Sequence, residues 1–256
     1  TGEPITYPRM NELLDKFHER GISTFIVTNA QYPEHIKNLK PITQLYLSID
    51  APTKELLKEV DKPLFTDYWE RTNKSLEYLA ERKERTCIRL TIIKEVNDIL
   101  PEKYAQLINK GSPDFIEVKA YMFIGPSMQR LSNANMPLHE EVVLFSKELI
   151  KHLSDYEIVS EHIPSRVVMF AKKKWCKNGV WHTWIDFSKF ARLIISGKEF
   201  TTDDYCKKTP SVGLSGKGTL DNMPADVREK YLVKHPEAYV FVDEKTQELD
   251  FYKGNL

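Results

Sequence analysis

The chain has 256 residues, and 37 Lys plus Arg are balanced by 37 Asp plus Glu. That length accommodates one α/β domain of barrel size, or a core of about 170 residues plus an appendage, while the even charge excludes a global pull toward nucleic acid or acidic lipid and leaves any basic surface local. Cys87, Cys176 and Cys206 lie far apart with no CxxC or Cys/His spacing, which argues against a disulfide framework or zinc knuckle and fits a reducing, cytoplasmic setting; no apolar run approaches the roughly 18 to 20 residues of a membrane span.

Thr1-Gly2-Glu3-Pro4 reads as the end of a strand and the loop after it, and with no initiator Met the sequence is expected to be a fragment lacking its N-terminal strands. MNELLDKFHERG puts Met10, Leu13, Leu14 and Phe17 on one helical face and reaches Gly21, a helix-ending residue. The strand Ser23 to Ala30 follows, then a short helix opened by Pro33, then the strand Gln44 to Asp50. In QLYLSID both alternating phases carry bulky side chains, as in a parallel strand covered by helices. Helical period returns at Thr53 to Val60 and Thr66 to Lys83, before the apolar strand Thr86 to Lys94. Pro101 to Lys110 is a helix with Pro at its start and Gly111 after its end, and it leads to the strand Phe115 to Met122.

The Gly, Pro, Ser and Asn loop Gly125 to Pro137 has the composition of a lid, and Pro137 to Leu153 is a helix with Val142, Phe145 and Leu149 in register. Two more strands, Tyr156 to His162 and Arg166 to Lys173, precede a change at Trp175, where parallel order is expected to end. There WCKNGVWHTWIDF sets Asn178-Gly179 between alternating aromatics, the signature of a hairpin with a type I′ turn. Phe187 to Ser196 is a helix closed by Gly197, Thr201 to Lys208 is read as another, Ser211 to Asn222 as a linker, and Tyr239 to Asp243 with Glu248 to Lys253 as a terminal hairpin.

Parallel strands joined by helices bring their carboxyl ends to one face, so Asn29, Asp50, Thr91 and Lys119 are expected to converge on a site. Glu3 on its turn offers a carboxylate for an ammonium group or is merely a surface residue of that turn. Asp50 suits ribose hydroxyls or caps the next helix. Arg89 with Thr91 and Glu117 with Lys119 share strand faces, and charges inside apolar strands need partners because desolvating one alone costs several kcal/mol. The expected result is a paired layer, either structural or with Lys119 as an amine for a carbonyl substrate. His162 is the best placed histidine for proton transfer, against a structural hydrogen-bonded role. Lys172, Lys173, Lys174 and Lys177 interleave with Trp175, Trp181 and Trp184: a pattern for phosphates and stacked bases, or an edge strand guarded by lysines over an aromatic mini-core.

TGEPITYP, STFIVTNAQYPE, TQLYLSIDAPTKE, DYWER, RTCIRLTIIKEVND, PDFIEVKAYMFIG and GVWHTWIDF together resemble, in order and spacing, the radical S-adenosylmethionine domain of the tRNA 4-demethylwyosine synthase family, from about Thr1 to Leu214. The resemblance implies an α/β fold, a partial TIM-type (βα) barrel of the radical SAM kind with a C-terminal hairpin and helix extension. Its boundaries are 1–174 for the barrel, 175–214 for the accessory piece and 215–256 for linker and tail. It further implies that S-adenosylmethionine and a [4Fe-4S] cluster generate an adenosyl radical, which activates pyruvate to close the third ring on a methylated guanosine of phenylalanine tRNA. By motif, Gly2, Glu3 and Pro4 hold the methionine ammonium, Asn29 and Asp50 face the polar groups of the cofactor, and Ser48 supports the ribose end. Arg89 and Thr91 continue that wall, Glu117 and Lys119 lie deeper toward base or pyruvate as the catalytic pair, and Lys172, Lys173, Lys174 and Trp181 face tRNA.

The family's CxxxCxxC ligands, and the flavodoxin-like FMN domain of its eukaryotic members, stand upstream of GEP and are not in this sequence. The polypeptide alone is therefore expected neither to bind the cluster nor to turn over, and its electron donor is unassigned. A non-catalytic RNA-binding module and a barrel aldolase with Lys119 as Schiff-base lysine are the alternatives.

Overall fold

The computed structural model describes residues 2–210 and, beyond them, the backbone of two short strands. A single 3₁₀ turn, Pro4–Thr6, precedes α1 (Met10–His18), β1 (Phe25–Thr28), α2 (Pro33–Asn38), β2 (Gln44–Ser48), α3 (Lys54–Asp61) and α4 (Tyr68–Ala80). The order continues with β3 (Thr86–Ile92), α5 (Pro101–Gly111), β4 (Phe115–Ala120), α6 (His139–Ile150), β5 (Tyr156–His162) and β6 (Val167–Lys172). These strands form one sheet in the order β1-β2-β3-β4-β6-β5, with β1 to β4 parallel.

Parallel order ends at β6 and not at Trp175. β6 runs antiparallel to both β4 and β5, inserted between them. The reason is the connection: only the short turn Ile163–Ser165 separates β5 from β6, and a parallel return needs a crossover of a dozen or more residues.

The two phases of the strands have separate fates. Leu45, Leu47 and Ile49, Ile88, Leu90 and Ile92, and Ile116, Val118 and Ala120 face the helices, and none is more than 2% exposed. They pack against Leu76 and Leu79 of α4, Tyr104 and Ile108 of α5 and Val142 and Leu149 of α6, a burial that contributes about 1.5–3 kcal/mol for each large side chain. Gly111 lets the end of α5 lie on this layer: a Cβ there would stand 2.8 Å from Leu76 Cδ2 and 3.0 Å from Ile88 Cδ1. The other phase holds Tyr46 and Ser48, Cys87, Arg89 and Thr91, and Glu117 and Lys119, which register side by side across β2, β3 and β4. It is the interior wall of the partial barrel.

The extension folds under the opposite end of the barrel. β7 (Cys176–Lys177) and β8 (Val180–Trp181) make the expected hairpin, with Asn178 at φ 52° and Gly179 at φ 75° as a type I′ turn demands. β9 (Trp184–Ile185) leaves that hairpin and pairs with β10 (Cys206–Lys207). Between them lie α7 (Phe187–Ser196) and α8 (Thr202–Tyr205). The helix expected over Thr201 to Lys208 is thus a single turn, because Cys206 and Lys207 are taken by the strand. Arg85 fastens this piece. Its guanidinium donates to Gln44 Oε1, to Thr183 O at 2.6 Å and to Cys206 Sγ at 3.1 Å, while Phe115 stacks 3.6 Å away. β11 (Phe241–Val242) and β12 (Leu249–Asp250) pair antiparallel, within the expected terminal hairpin; the linker Ser211 to Asn222 lies outside the described residues.

Candidate active site

Asn29, Asp50, Thr91 and Lys119 stand at or just past the carboxyl ends of β1, β2, β3 and β4, all on the interior phase. Glu3 joins them from the segment before α1. Its Oε2 accepts the Asn29 backbone N–H at 2.8 Å and its Oε1 accepts that of Ile5 at 3.4 Å, so the turn is tied to the first strand end. Each carboxylate oxygen keeps a free acceptor site. Among the described residues nothing lies within 4 Å of where a Cβ at Gly2 would stand, and Pro4 begins the 3₁₀ turn.

Asp50 is not the cap of α3. Thr53 is, accepting the Leu56 N–H at 3.3 Å. Asp50 Oδ1 is buried with no hydrogen-bond partner among the described residues, and an acceptor left that way costs about 1–3 kcal/mol unless something donates to it. Burial pushes the Asp50 carboxyl up; hydrogen bonding from the Thr91 hydroxyl and N–H, then the charge of Arg89, pulls it down. A cleft of about 740 Å³ opens above it, walled by Asp50, Asp61, Thr91, Tyr121, Arg130 and Asn135. Asp61, at the mouth, is raised to about 8, first by loss of surrounding water and then by the Asp50 charge, with Arg130 opposing. Arg130 also donates to Val60 O at 3.0 Å, and Lys94 and Asn135 exchange two backbone-directed bonds, so the Gly125 to Pro137 loop is strapped beside the cleft.

Below the rim, Arg89 Nε lies 2.9 Å from Glu117 Oε2, and the guanidinium sits 4.6 Å from the centre of the Tyr46 ring. Burial holds the Tyr46 phenol above its usual range. The expected paired layer is therefore only half made, since the Lys119 side chain has no hydrogen-bond or ion-pair partner among the described residues. His162 registers beside Lys119 through Val167, with Nδ1 2.7 Å from Ser165 Oγ. Ser48 is half-buried next to Arg89.

The lysine and tryptophan segment lies away from this rim. Lys172 Nζ donates to Ser112 O and Oγ at 2.7 Å, Lys174 pairs with Asp114 at 2.9 Å, and Trp175 is buried and stacked on Phe115. Lys173 is exposed and Trp181 half-buried. These contacts match an aromatic mini-core with lysines around it, although the strand they follow, β6, is an inner one: Lys172 ends it and Lys173 and Lys174 lie in the turn after it. Sequence reasoning missed Asp61, Tyr121, Arg130 and Asn97. Asn97 falls inside the quoted RTCIRLTIIKEVND stretch, but it sits in the polar turn Lys94 to Asp98, where nothing in the local pattern sets it apart.

The donor set fits S-adenosylmethionine: a carboxylate at Glu3 for an ammonium group, and a buried, unpartnered Asp50 oxygen for a hydroxyl. It does not fit an iron–sulfur cluster. No group of three His, Cys, Asp or Glu among the described residues could hold a metal ion, and Cys87, Cys176 and Cys206 are free thiols. No helix among these residues is long and apolar enough to cross a membrane.

Comparison with known proteins agrees with this geometry. Residues 1–108 match the radical SAM superfamily model and residues 110–172 the model for wyosine base formation. The S-adenosyl-L-methionine-dependent tRNA 4-demethylwyosine synthase of Oryza sativa subsp. japonica is 50% identical over 218 residues, which is 84% of this chain and 33% of that protein. The Xenopus laevis synthase TYW1 is 46% identical over 234 residues, 89% of this chain and 32% of its own. A solved structure of TYW1 with a lysine–pyruvate adduct bound superposes with a TM-score of 0.62 at 34% identity, over 68% of this chain and 55% of that one. An archaeal TYW1 crystal structure gives 0.57 at 32%, with the same coverage.

A sheet with four parallel strands, with polar residues gathered at their carboxyl ends and a match to that superfamily model, is a radical SAM domain. Within that class the chain belongs to the tRNA 4-demethylwyosine synthase family. It spans about a third of the length of the curated relatives it matches.

Proposed function

We propose that this chain is catalytic-domain sequence of a tRNA 4-demethylwyosine synthase, a radical SAM lyase that builds the tricyclic wyosine base from N-methylguanosine and the two-carbon part of pyruvate. The observation that carries the reading is the unpartnered, buried Asp50 oxygen beside Thr91 at the strand ends, in a chain half identical to a named synthase. Glu3 on the Gly2–Pro4 turn receives the methionine ammonium; Asn29, Ser48, Asp50, Arg89 and Thr91 form the wall that receives the remainder. S-adenosylmethionine, when bound against a reduced cluster, supplies a radical able to abstract hydrogen.

What this chain's own residues do is bind and orient. Asp50 accepts ribose hydroxyls through a carboxylate that Thr91 steadies. Glu117 fixes the Arg89 guanidinium by two contacts to one oxygen, and Lys119, with no side-chain partner among the described residues, is left to meet an anionic substrate group. The cleft of about 740 Å³ has room for a nucleoside, and that of phenylalanine tRNA is the proposed occupant. Lys173, exposed, with Lys172, Lys174 and Trp181 beside it, is proposed as an accessory tRNA contact. The cytoplasm is the proposed compartment, and FMN the proposed source of electrons through a flavodoxin-like region of the whole enzyme.

The test is a graft. This chain replaces the matching third of the rice synthase, the product is loaded with iron and sulfide, and tRNA carrying N-methylguanosine is digested and weighed. Formation of the tricyclic base with pyruvate supports the reading; a cluster-loaded graft that leaves the base unaltered overturns it.

A further inference from the structure

We infer that Asn97 is a positioning residue that sets the spacing between the Asp50 and Thr91 strand ends and thereby aims the Asp50 carboxylate into the cleft. The inference rests on reading those strand ends as a ligand site. Asn97 has no exposure to solvent. Its Nδ2 donates to Asp50 O at 2.7 Å and to Thr91 O at 2.8 Å, and its Oδ1 accepts the Ile93 N–H at 2.5 Å. Both hydrogens of one amide are thus spent on two neighbouring strands.

The need for this arises where the sheet stops. The last backbone bond between β2 and β3 joins Ile49 N to Arg89 O at 2.9 Å, so the carbonyls of Asp50 and Thr91 lie past the ladder. Two acceptors facing one another require a donor between them, and Asn alone offers two donors and an acceptor on so short a side chain. Asp has the shape without the donors, and Ser has a single hydrogen. Asn97 is held in turn: its N–H donates to Ile93 O at 3.2 Å and its carbonyl accepts the Tyr104 hydroxyl at 3.1 Å. The turn it closes also grips the loop beside the cleft through Lys94 and Asn135. Neighbours of Asp50 that sense its aim are Thr91, Arg89 and Asp61.

The test titrates the full chain with S-adenosylhomocysteine by calorimetry, as wild type, Asn97→Ala, Asp50→Asn and the double variant. Asn97→Ser serves as a second probe should the alanine variant fail to fold, and Gly111→Ala, remote from the cleft, controls for general loss of stability. The expected result is about tenfold weaker binding for Asn97→Ala and no further loss when it is added to Asp50→Asn, because a positioning effect vanishes once its target is changed. Equal losses from Asn97→Ala in both backgrounds overturn the inference and leave Asn97 a structural clamp. If wild type does not bind, the reading of the site fails. The inference is then decided on ligand-free protein by ¹³C NMR of the Asp50 carboxyl: a midpoint moved up in Asn97→Ala but not in Gly111→Ala supports it, and an unmoved midpoint overturns it.

Discussion

Arg89 and Glu117 face each other on neighbouring parallel strands and share a single oxygen, with Nε and Nη2 each 2.9 Å from Oε2. One step nearer the rim, Thr91 stands opposite Lys119, whose side chain has no ion pair among the described residues. The charge of the interior wall is thus paired in its middle, while at its rim the Lys119 amine stands beside Thr91.

Changing Glu117 to Gln leaves the Arg89 guanidinium without its counter-charge. The two side chains are 26% and 18% exposed, between the surface pairs that contribute under 1 kcal/mol and the buried ones whose disruption costs 3–5, so a loss of about 2 kcal/mol is expected. Urea denaturation measures it, and a change within experimental error would remove the pair from the account of stability.

Gly111→Ala trades helix propensity against a clash. Alanine gains about 1 kcal/mol in a helix, but its methyl meets Leu76 at 2.8 Å and Ile88 at 3.0 Å, and overpacking of this kind costs about 1–3 kcal/mol. The balance is a net loss of about 1 kcal/mol with no effect on ligand affinity; a rise in melting temperature would show that the layer has slack.

Asp61 gives the stability a pH signature. A carboxyl whose folded-state pKa is raised binds its proton more tightly when folded, so its contribution favours the fold at low pH and is lost as pH rises from the ordinary carboxylate range through about 8. Asp61→Asn removes that loss. The variant should melt at the same temperature as wild type near pH 4 and above it at pH 8, by a modest margin because Asp61, although packed about by α3 and the loop, keeps part of its surface open to water at the cleft mouth. Parallel curves across that range would contradict the shift.

The lysines divide by what already holds them. Lys173→Ala should weaken tRNA binding and lower its salt dependence by about one ion without moving the melting temperature. Lys174→Ala should lower stability as well, because it strips Asp114, 6% exposed, of an ion pair. Filter binding with a melting curve for each variant tells these apart.

Most of the barrel was legible because its strands announce themselves. Runs such as CIRLTII exceed what a half-exposed strand carries, and Pro101 at the start of α5 and the Asn178-Gly179 turn were read at their true places, while Gly111, read as following α5, is its last residue and Ser112 takes the left-handed cap at φ 42°. The direction of β6 was missed although the three-residue turn before it forces a reversal. The rim residues Asn29, Asp50, Thr91 and Lys119 follow from strand ends alone. Asp61, Arg130 and Asn97 do not, because their roles come from where α3, the loop and the turn after β3 fold back, a tertiary fact with no local period. Lys174 and Trp175 carried a nucleic-acid pattern in sequence, yet Asp114 and Phe115 engage them from a strand some 60 residues earlier.

The central claim is that the strand ends of this chain receive S-adenosylmethionine through Glu3 and Asp50. Equilibrium dialysis of labelled S-adenosylmethionine against the cluster-loaded graft, as wild type, Glu3→Gln and Asp50→Asn, tests it most directly. Each substitution removes a charged acceptor and should weaken binding by about ten- to a hundredfold, with the melting temperature held. Unchanged affinity in both variants would contradict the account.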